Sequence, residues 1–323
     1  MSLDKAQFLQ AYRTMRTIRD FEYRVSDEFG KGNIPGFLHL YAGQEAIATG
    51  MCMNLDDTDY IVSTHRGHGH CIAKGGDVGE MMKEIMAKQG GSCAGKGGSM
   101  HIAAIEKGML GANAIVGGGP PLIVGAALSA KTLGTDRVGV SFTGDGGSNQ
   151  GTTFEAMNLA VVLQLPAIFL FENNGYGEGT AAGYAVGSKD IAGRAKGFGM
   201  PALKVDGADV FAVYDTCKKA VKHCRSGKGP IAIEASITRF RGHFEGDAQA
   251  YRGKGEVKRL MKDMDCLKIA GASAIKKKLA TRSQLNKIDK EVAAFIEEAA
   301  QAALAAPGPD VEELLTDVYS SEY

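Results

Sequence analysis

Two short and almost uniformly apolar runs, separated by an amphipathic segment, form the clearest hydrophobic pattern in the chain. Residues 137–143 (RVGVSFT) and 166–171 (PAIFLF) are rich in β-branched and aromatic side chains, which is typical of strands. The segment 152–164 has helical spacing, with core positions predicted at Phe154, Met157, Leu159 and Val161. Strand, helix and strand within about 30 residues predict a βαβ unit, whose apolar strands indicate a parallel sheet flanked by helices.

The flanking sequence predicts further elements around this unit. The patterns predict helices over 1–25, 43–55, 78–89 and Val210–Cys224, and strands within 59–67 and 230–236. Thr281 and Gln284 form a capping-box pattern for a helix that runs through Ala300, and a Pro-Gly-Pro sequence follows it. We therefore predict an α/β domain over residues 1–260 and a helical tail over residues 261–323.

Charge and cysteine content narrow the class of protein. The 323 residues contain 37 basic and 37 acidic side chains, so no basic field favours nucleic acid or a membrane surface as a partner. The six cysteines are scattered without a C-x-x-C pair, which is typical of reduced thiols. The N-terminal segment reads as an amphipathic helix and not as a targeting peptide, and no apolar run approaches the roughly 18 residues of a membrane span. We expect a cytoplasmic location.

Candidate ligands for a metal ion stand directly after the two apolar strands. Asp145 follows the first strand, and Asn173 and Asn174 follow the second. A right-handed crossover brings the carboxyl ends of both strands to one edge of the sheet, where α/β proteins bind ligands. Carboxylate and amide oxygen atoms suit Mg²⁺. The adjacent glycines would leave backbone N–H groups free for phosphate: Gly144, Gly146 and Gly147. The alternative is that Asp145 caps a helix and that 173–175 forms a turn.

This pattern resembles a known cofactor motif. A Gly-Asp-Gly sequence followed about thirty residues later by Asn-Asn is similar to the thiamine diphosphate motif. More narrowly, the chain resembles the alpha subunits of the dehydrogenase component of 2-oxo acid and acetoin dehydrogenase complexes. The segments that carry this resemblance span nearly the whole chain: GFLHLYAGQEA, STHRGHGH, GKGGSMHI, IVGGGPPLIVGAAL, GKGPIAIE, RFRGHFEGD and ELLTDVY. His65, GGGPPL and the sequence around His243 are closer to acetoin dehydrogenase alpha subunits than to pyruvate or branched-chain ones.

The resemblance implies a thiamine diphosphate-binding fold and a role for each matching residue. Asp145, Asn174 and the backbone carbonyl of Tyr176 would ligate magnesium. Arg66 and Arg239 would hold the diphosphate, together with His243 and the glycine turn. The backbone of Ile115, Val116 and Gly117 would meet the aminopyrimidine ring. The resemblance also nominates three catalytic histidines: His39, His65 and His243.

Two other motifs compete with this interpretation. A zinc site is one alternative, because three histidines lie close together in sequence at His65, His68 and His70. No Cys, Asp or Glu at ligand spacing completes such a site within that loop. Residues 90–97 nearly spell a Walker A loop, yet its last position is Gly97, where a Ser or Thr should hold magnesium, and a helix precedes it. Both motifs are weaker than the paired strand ends.

The chain supplies one diphosphate-type domain, whereas thiamine chemistry needs a second domain with a carboxylate that activates the pyrimidine ring. By resemblance, a separate beta subunit supplies it in an α2β2 heterotetramer, which the helical tail contacts. A lipoyl-bearing dihydrolipoamide acyltransferase accepts the acyl group. The implied activity cleaves acetoin to acetaldehyde and an acetyl unit passed to lipoamide. The alternatives are a pyruvate or other 2-oxo acid dehydrogenase alpha subunit, or a nucleotide- or metal-binding protein that uses no thiamine.

Overall fold

The parallel strands predicted in the middle of the chain form the centre of the computed structural model, which describes residues 3–317. The end of the predicted tail, residues 318–323, lies outside the described residues. In chain order the elements are α1 (Lys5–Gly30), α2 (Glu45–Cys52), β1 (Tyr60–Val62), α3 (His68–Lys74), α4 (Val78–Ile85), β2 (Met109–Gly111), α5 (Gly119–Thr132), β3 (Gly139–Gly144), α6 (Gly151–Val162), β4 (Ala167–Asn173), β5 (Tyr176–Gly177), β6 (Thr180–Ala181), α7 (Ala182–Ala185), α8 (Ile191–Gly197), β7 (Ala202–Asp206), α9 (Val210–Arg225), β8 (Ile231–Ser236), α10 (Glu256–Asp263), α11 (Cys266–Lys276) and α12 (Arg282–Ala305).

The main sheet has six parallel strands in the order β2-β1-β3-β4-β8-β7. The predicted βαβ unit is β3, α6 and β4, and its register pairs Gly144 with Glu172 at the carboxyl edge. The loops that begin at Asp145 and Asn174 therefore leave the sheet side by side. This confirms the predicted α/β class with a parallel sheet flanked by helices.

Both faces of the sheet are buried, which explains why β4 is apolar at successive positions from Ala167 to Phe171. Phe142 and Leu170 belong to one core, together with residues of α1, α2, α4 and α9. Phe169 and Phe171 belong to a second core on the opposite face, which α5, α6 and α8 cover. Alternate side chains of a strand point to opposite faces, so a strand between two helical layers needs apolar residues throughout.

The predicted core face of α6 was partly wrong. Leu159 is 45% exposed, and Phe154 and Val161 are only partly buried. The buried positions follow the i, i+3, i+4, i+7 pattern of one helix face: Thr153, Ala156, Met157 and Ala160. The helix also ends at Val162, earlier than predicted, and Gln164 turns with φ 49° before β4 begins.

The helical tail folds back onto the α/β unit. The predicted capping box forms between Thr281 and Gln284, and α12 continues to Ala305, beyond the predicted end. One face of α12, including Ile288 and Val292, packs with α1 and α4 in the first core. Among residues 3–317, no helix combines the length and apolar character required of a membrane span.

Candidate functional site

A cleft of ≈ 320 Å³ opens at the carboxyl edge of the sheet, where β3 and β4 end. Most residues predicted from the strand ends and motifs line it: His65, Arg66, Val116, Gly144, Asp145, Gly146, Gly147, Asn174, Tyr176, Arg239 and His243. Residues that the sequence did not single out line it as well: Gln44, Thr64, Gln150, Glu172, Gly177 and Glu178. The volume is within the range of small-molecule sites.

Oxygen atoms suited to a hard cation come together in this cleft. Asp145 is 2% exposed, and burial raises the pKa of its carboxyl to about 6. The nearby backbone N–H groups of Asp145 itself and of Asn174 lower this pKa, but by less than burial raises it. The Asn174 Oδ1 lies 3.4 Å from the backbone nitrogen of Tyr176, and Gly175 between them has φ 92°. Asp145, Asn174 and Tyr176 all line the cleft, and the Tyr176 carbonyl oxygen lies 3.5 Å from Arg239 Nη1. Carboxylate, amide and carbonyl oxygen atoms are the types of ligand that suit Mg²⁺.

The alternative reading of Asp145 as a helix cap does not fit the geometry. Gln150 is the N-cap of α6, and the short 3₁₀ turn before it, at 147–149, begins after Gly146. The carbonyl oxygen of Asp145 accepts a hydrogen bond from Ser148 Oγ at 2.7 Å, which leaves the carboxylate to the cleft. Among residues 3–317, no hydrogen bond from another side chain to this carboxylate explains its burial.

The glycine turn after β3 lets the two strand-end loops approach closely. A Cβ on Gly146 would lie 3.2 Å from Cα of Gly177, which follows β4. A Cβ on Gly147 would lie 2.8 Å from Thr143 Cγ2 and 2.9 Å from Val116 Cγ1, so a larger residue would collide there. Gly144 has open space where its Cβ would be. The turn thus presents bare backbone to the cleft, as phosphate sites do.

Two buried guanidinium groups face the same cleft. Arg66 is 4% exposed and donates to the carbonyl oxygens of Leu40 at 2.5 Å and His243 at 2.8 Å. Arg239 is 1% exposed and donates to Tyr251 Oη at 2.9 Å. Burial, and then the charge of Arg239, lowers the pKa of Arg66 to about 9.

Within the described residues, neither guanidinium group forms a salt bridge with a carboxylate. Buried charges are costly unless they are paired. The two arginines therefore mark a site for an anion.

Three histidines from distant segments meet beside these arginines. The ring centroids of His39, His65 and His243 lie 4.7–5.1 Å apart. Burial, followed by the charge of Arg66, lowers the pKa of His39 to about 3 and that of His243 to about 4, and it lowers the pKa of His65 as well. The imidazoles are therefore uncharged near neutral pH. His39 contacts the other two rings but does not line the cleft.

The residues of the possible zinc motif face different partners. His68 lies between Glu22 and Ser99 Oγ, and His70 lies between Ser63 Oγ and Glu172. Both begin α3 and are fully buried, whereas His65 joins the histidine group described above. Both side chains are thus engaged with protein partners, and neither joins His65 at metal-ligand spacing. Of the described Cys, His, Asp and Glu side chains, only His39, His65 and His243 form a group of three at metal-ligand spacing.

The near-match to a Walker A loop also has a structural explanation. The carboxylate of Glu84 on α4 accepts hydrogen bonds from backbone N–H groups of the loop, including those of Cys93 at 2.8 Å and Gly97 at 2.7 Å. These N–H groups are therefore not free to bind phosphate. The loop therefore encloses the Glu84 carboxylate, where a Walker A loop would enclose the phosphate of a nucleotide.

The segment predicted to meet the aminopyrimidine ring is only partly in the cleft. Val116 lines it, whereas Ile115 is 73% exposed. Gly117 has φ 88°, and its carbonyl oxygen accepts a hydrogen bond from Thr152 Oγ1 at 2.8 Å. The segment is thus anchored to α6, and the Ile115 side chain points to solvent.

Comparison with known proteins assigns the chain to a group. The model of the dehydrogenase E1 component family matches residues 13–312. The alpha subunit of acetoin:2,6-dichlorophenolindophenol oxidoreductase from Cupriavidus necator is 55% identical over 321 residues, covering 99% of this chain and 96% of the relative. The corresponding subunit from Bacillus subtilis is 49% identical over the same coverage. The alpha subunit of the pyruvate dehydrogenase E1 component from Rhizobium meliloti is 41% identical over 314 residues, covering 97% of this chain and 90% of the relative.

Proposed function

The chain belongs to the dehydrogenase E1 component family, and we propose that it is the alpha subunit of a thiamine diphosphate-dependent acetoin dehydrogenase. The reaction cleaves acetoin to acetaldehyde and an acetyl unit, which passes to lipoamide as the lipoyl disulfide is reduced. The observation that carries this proposal is that one cleft contains two buried arginines, which form no salt bridge with a carboxylate of the described residues, together with a buried aspartate. That arrangement suits a diphosphate bridged to a divalent cation.

Asp145, Asn174 and the carbonyl of Tyr176 would hold Mg²⁺, and Arg66 and Arg239 would neutralise the diphosphate. A planar guanidinium group is well suited to phosphate oxygens. The glycine turn after β3 would add backbone N–H donors, and the segment 115–117 would face the aminopyrimidine ring. The bare backbone of that turn and the unpaired guanidinium groups support this fit.

Bound thiamine diphosphate supplies a nucleophilic carbon and stabilises the carbanion character that develops during cleavage. The chain must then take the proton of the acetoin hydroxyl as the bond to the acetaldehyde carbon breaks. We propose that His65 and His243 accept this proton, which then passes to the thiolate that forms when the lipoyl disulfide is reduced, and that His39 orients them. Each uncharged imidazole has one unprotonated ring nitrogen, and a diphosphate bound to Arg66 would offset one of the charges that lower the pKa values of these histidines, which would make them stronger bases.

The charges in the cleft also favour a neutral substrate. The two arginines are assigned to the diphosphate, and the imidazoles are uncharged, so within residues 3–317 no other cationic side chain lines this cleft to bind a substrate carboxylate. Acetoin has no carboxylate, whereas pyruvate and other 2-oxo acids do. The identities of 55% and 49% to acetoin-oxidising relatives, against 41% to a pyruvate dehydrogenase subunit, support the same choice.

The enzyme would work only as a complex. The described residues build one six-stranded sheet, so we propose that a beta subunit supplies the second domain and its activating carboxylate in an α2β2 heterotetramer. We divide the chain into a cofactor-binding domain, 1–260, and a tail, 261–323, that contacts the partner. A lipoyl-bearing dihydrolipoamide acyltransferase would accept the acetyl unit, in the cytoplasm.

The test is to co-express the chain with its beta subunit and to measure dichlorophenolindophenol reduction with acetoin, pyruvate and branched-chain 2-oxo acids. We expect the largest kcat/KM for acetoin, with a dependence on both thiamine diphosphate and Mg²⁺. A larger kcat/KM for pyruvate would replace the proposed substrate. Binding of a nucleotide, with no thiamine diphosphate binding in the complex, would refute the cofactor assignment.

A further inference from the structure

Gln44, which no motif singled out, touches one of the proposed metal ligands directly. It is fully buried at the N-cap of α2 and lines the cleft. Its Oε1 accepts a hydrogen bond from Asn174 Nδ2 at 3.1 Å. Its own Nε2 is buried and has no hydrogen-bond partner among the described residues. The side chain therefore has one end engaged with a ligand residue and one end unused.

The engaged end fixes the orientation of the Asn174 amide. An asparagine amide has a donor nitrogen and an acceptor oxygen on the same carbon, and only the oxygen can ligate a cation. Because Asn174 Nδ2 is held by Gln44 Oε1, Oδ1 is left to point away from Gln44. A flipped amide would bring its NH₂ group to the metal and would set two oxygen atoms, Oδ1 and Gln44 Oε1, against each other.

The Nε2 group of Gln44, which lacks an acceptor, indicates a ligand in the cleft. Buried side-chain donors are nearly always hydrogen-bonded in folded proteins, so an orphan donor on a cleft wall calls for an acceptor. We infer that Gln44 is a positioning residue of the metal–diphosphate site: its Oε1 sets the Asn174 amide, and its Nε2 donates to an oxygen atom of the bound metal–diphosphate group. This inference rests on the proposed function, because it assumes that Asn174 ligates the metal.

The backbone around Gln44 is held firmly enough for this role. Gly43 has φ 105°, and a Cβ there would lie 2.6 Å from the Thr238 carbonyl oxygen. The N–H of Gly43 donates to Glu45 Oε1 at 3.0 Å, and Glu45 forms a buried ion pair with Arg19. The Gln44 N–H donates to the carbonyl oxygen of Tyr41 at 3.1 Å. Neighbours on both sides thus restrain the backbone from which this side chain extends.

The test uses Gln44→Met, which keeps the approximate length of the side chain and removes both hydrogen bonds. In the assembled complex with saturating thiamine diphosphate, Mn²⁺ replaces Mg²⁺, and its Kd is measured by electron paramagnetic resonance. We expect the Kd to rise about 10–100-fold, as for other residues that orient metal ligands. Asn54→Leu is the matched control. Asn54 lies just after α2, and its amide donates to the carbonyl oxygens of Gly50 and Tyr214, so this change also removes two amide hydrogen bonds near the same helix. We expect an unchanged Kd there.

A double-mutant cycle separates orientation from simple packing. Asn174→Asp replaces the amide by a carboxylate with two equivalent oxygen atoms. An oxygen atom then faces the metal in either orientation of residue 174, so metal binding no longer depends on a hydrogen bond from this residue to Gln44. In that background, Gln44→Met should raise the Mn²⁺ Kd by a much smaller factor than in wild type. An equal rise in both backgrounds, or no rise in wild type, would overturn the inference. If wild-type complex does not bind Mn²⁺ with thiamine diphosphate, the proposed function fails instead.

Discussion

Asp145→Asn tests the proposed metal site most directly, because it removes one negative charge and preserves the size of the side chain. Asp145 is the acidic ligand in the proposed metal-binding set, beside one amide and one carbonyl. We expect the affinity of the assembled complex for Mg²⁺ and thiamine diphosphate to fall at least ~100-fold, which is about 2.8 kcal/mol. Such a loss is at or beyond the upper end of what residues outside the metal ligands cause.

The same substitution should have the opposite effect on the stability of the empty complex. Burial raises the pKa of Asp145 from 3.8 to about 6, so the folded state binds its proton more tightly than the unfolded state does. Stability from this group is therefore complete below about pH 4 and is lost as pH rises through about 6. The loss at pH 7 is at most roughly 3 kcal/mol, from 1.36 kcal/mol per pKa unit. Asparagine, which carries no charge, removes this penalty.

Two measurements that compare the Asp145→Asn complex with the wild-type complex test both expectations. Isothermal titration gives cofactor affinity in the presence of Mg²⁺, and urea unfolding at pH 7 without cofactor gives stability. Asp209→Asn is the control, since this aspartate caps α9 and asparagine caps equally well. We expect the control to change neither quantity. Near-normal binding of thiamine diphosphate by Asp145→Asn, together with an intact complex, would refute the assignment of Asp145 to the metal.

Three further outcomes are expected. His65→Tyr should lower kcat/KM for acetoin far more than it weakens thiamine diphosphate binding, and equal losses in kinetic and titration measurements would argue for a cofactor-binding role. His39 should reduce stability in acid, because its pKa falls from 6.5 to about 3 on folding and only the unfolded state binds the proton between those values. Stability is full above pH 6.5, and the loss is about 2 kcal/mol at pH 5. Urea unfolding of the apo complex should therefore show a weaker pH dependence in His39→Asn. The chain purified without its beta subunit should show no acetoin-dependent dye reduction, and turnover by the chain alone would mean that the pyrimidine-activating carboxylate is internal.

The parts of the fold that could be predicted are those fixed by local pattern. β4 is apolar at every position from Ala167 to Phe171 because both of its faces are buried, and this pattern is visible without a structure. β3 is buried in the same way but also contains Ser141 and Thr143, whose hydroxyl groups are 3.2 Å apart. The crossover rule then places Asp145 near Asn174, and the cleft contains both. The error at Leu159 arose because α6 has apolar residues on its exposed face too, so hydrophobicity alone did not identify the core side.

The parts that could not be predicted depend on contacts between distant segments. Gln44 and Asn174 are separated by 130 positions, and Arg239 is held by Tyr251, which follows it in an irregular loop. No periodicity marks such pairs. The grouping of His39, His65 and His243 was expected from a family resemblance, and nothing in the spacing of these three residues indicates it. Packing of α3 against α1 directs His68 away from that group, towards Glu22.

The exposed apolar side chains of this chain, like its incomplete cleft, indicate contact with a partner subunit. Leu133 and Val162, at the ends of α5 and α6, are 70% and 67% exposed, and Leu314 and Leu315 in the tail are 75% and 83% exposed. Apolar side chains in groups usually indicate an interaction surface. Ile115, which precedes the cleft-lining Val116, is 73% exposed as well. A bound cofactor that reaches Ile115 would remain open to water on that side, and thiamine chemistry needs a site that excludes it. A beta subunit that covers the cleft at Ile115 would therefore provide both the missing wall and the missing carboxylate, which is why we expect activity and assembly to be lost together.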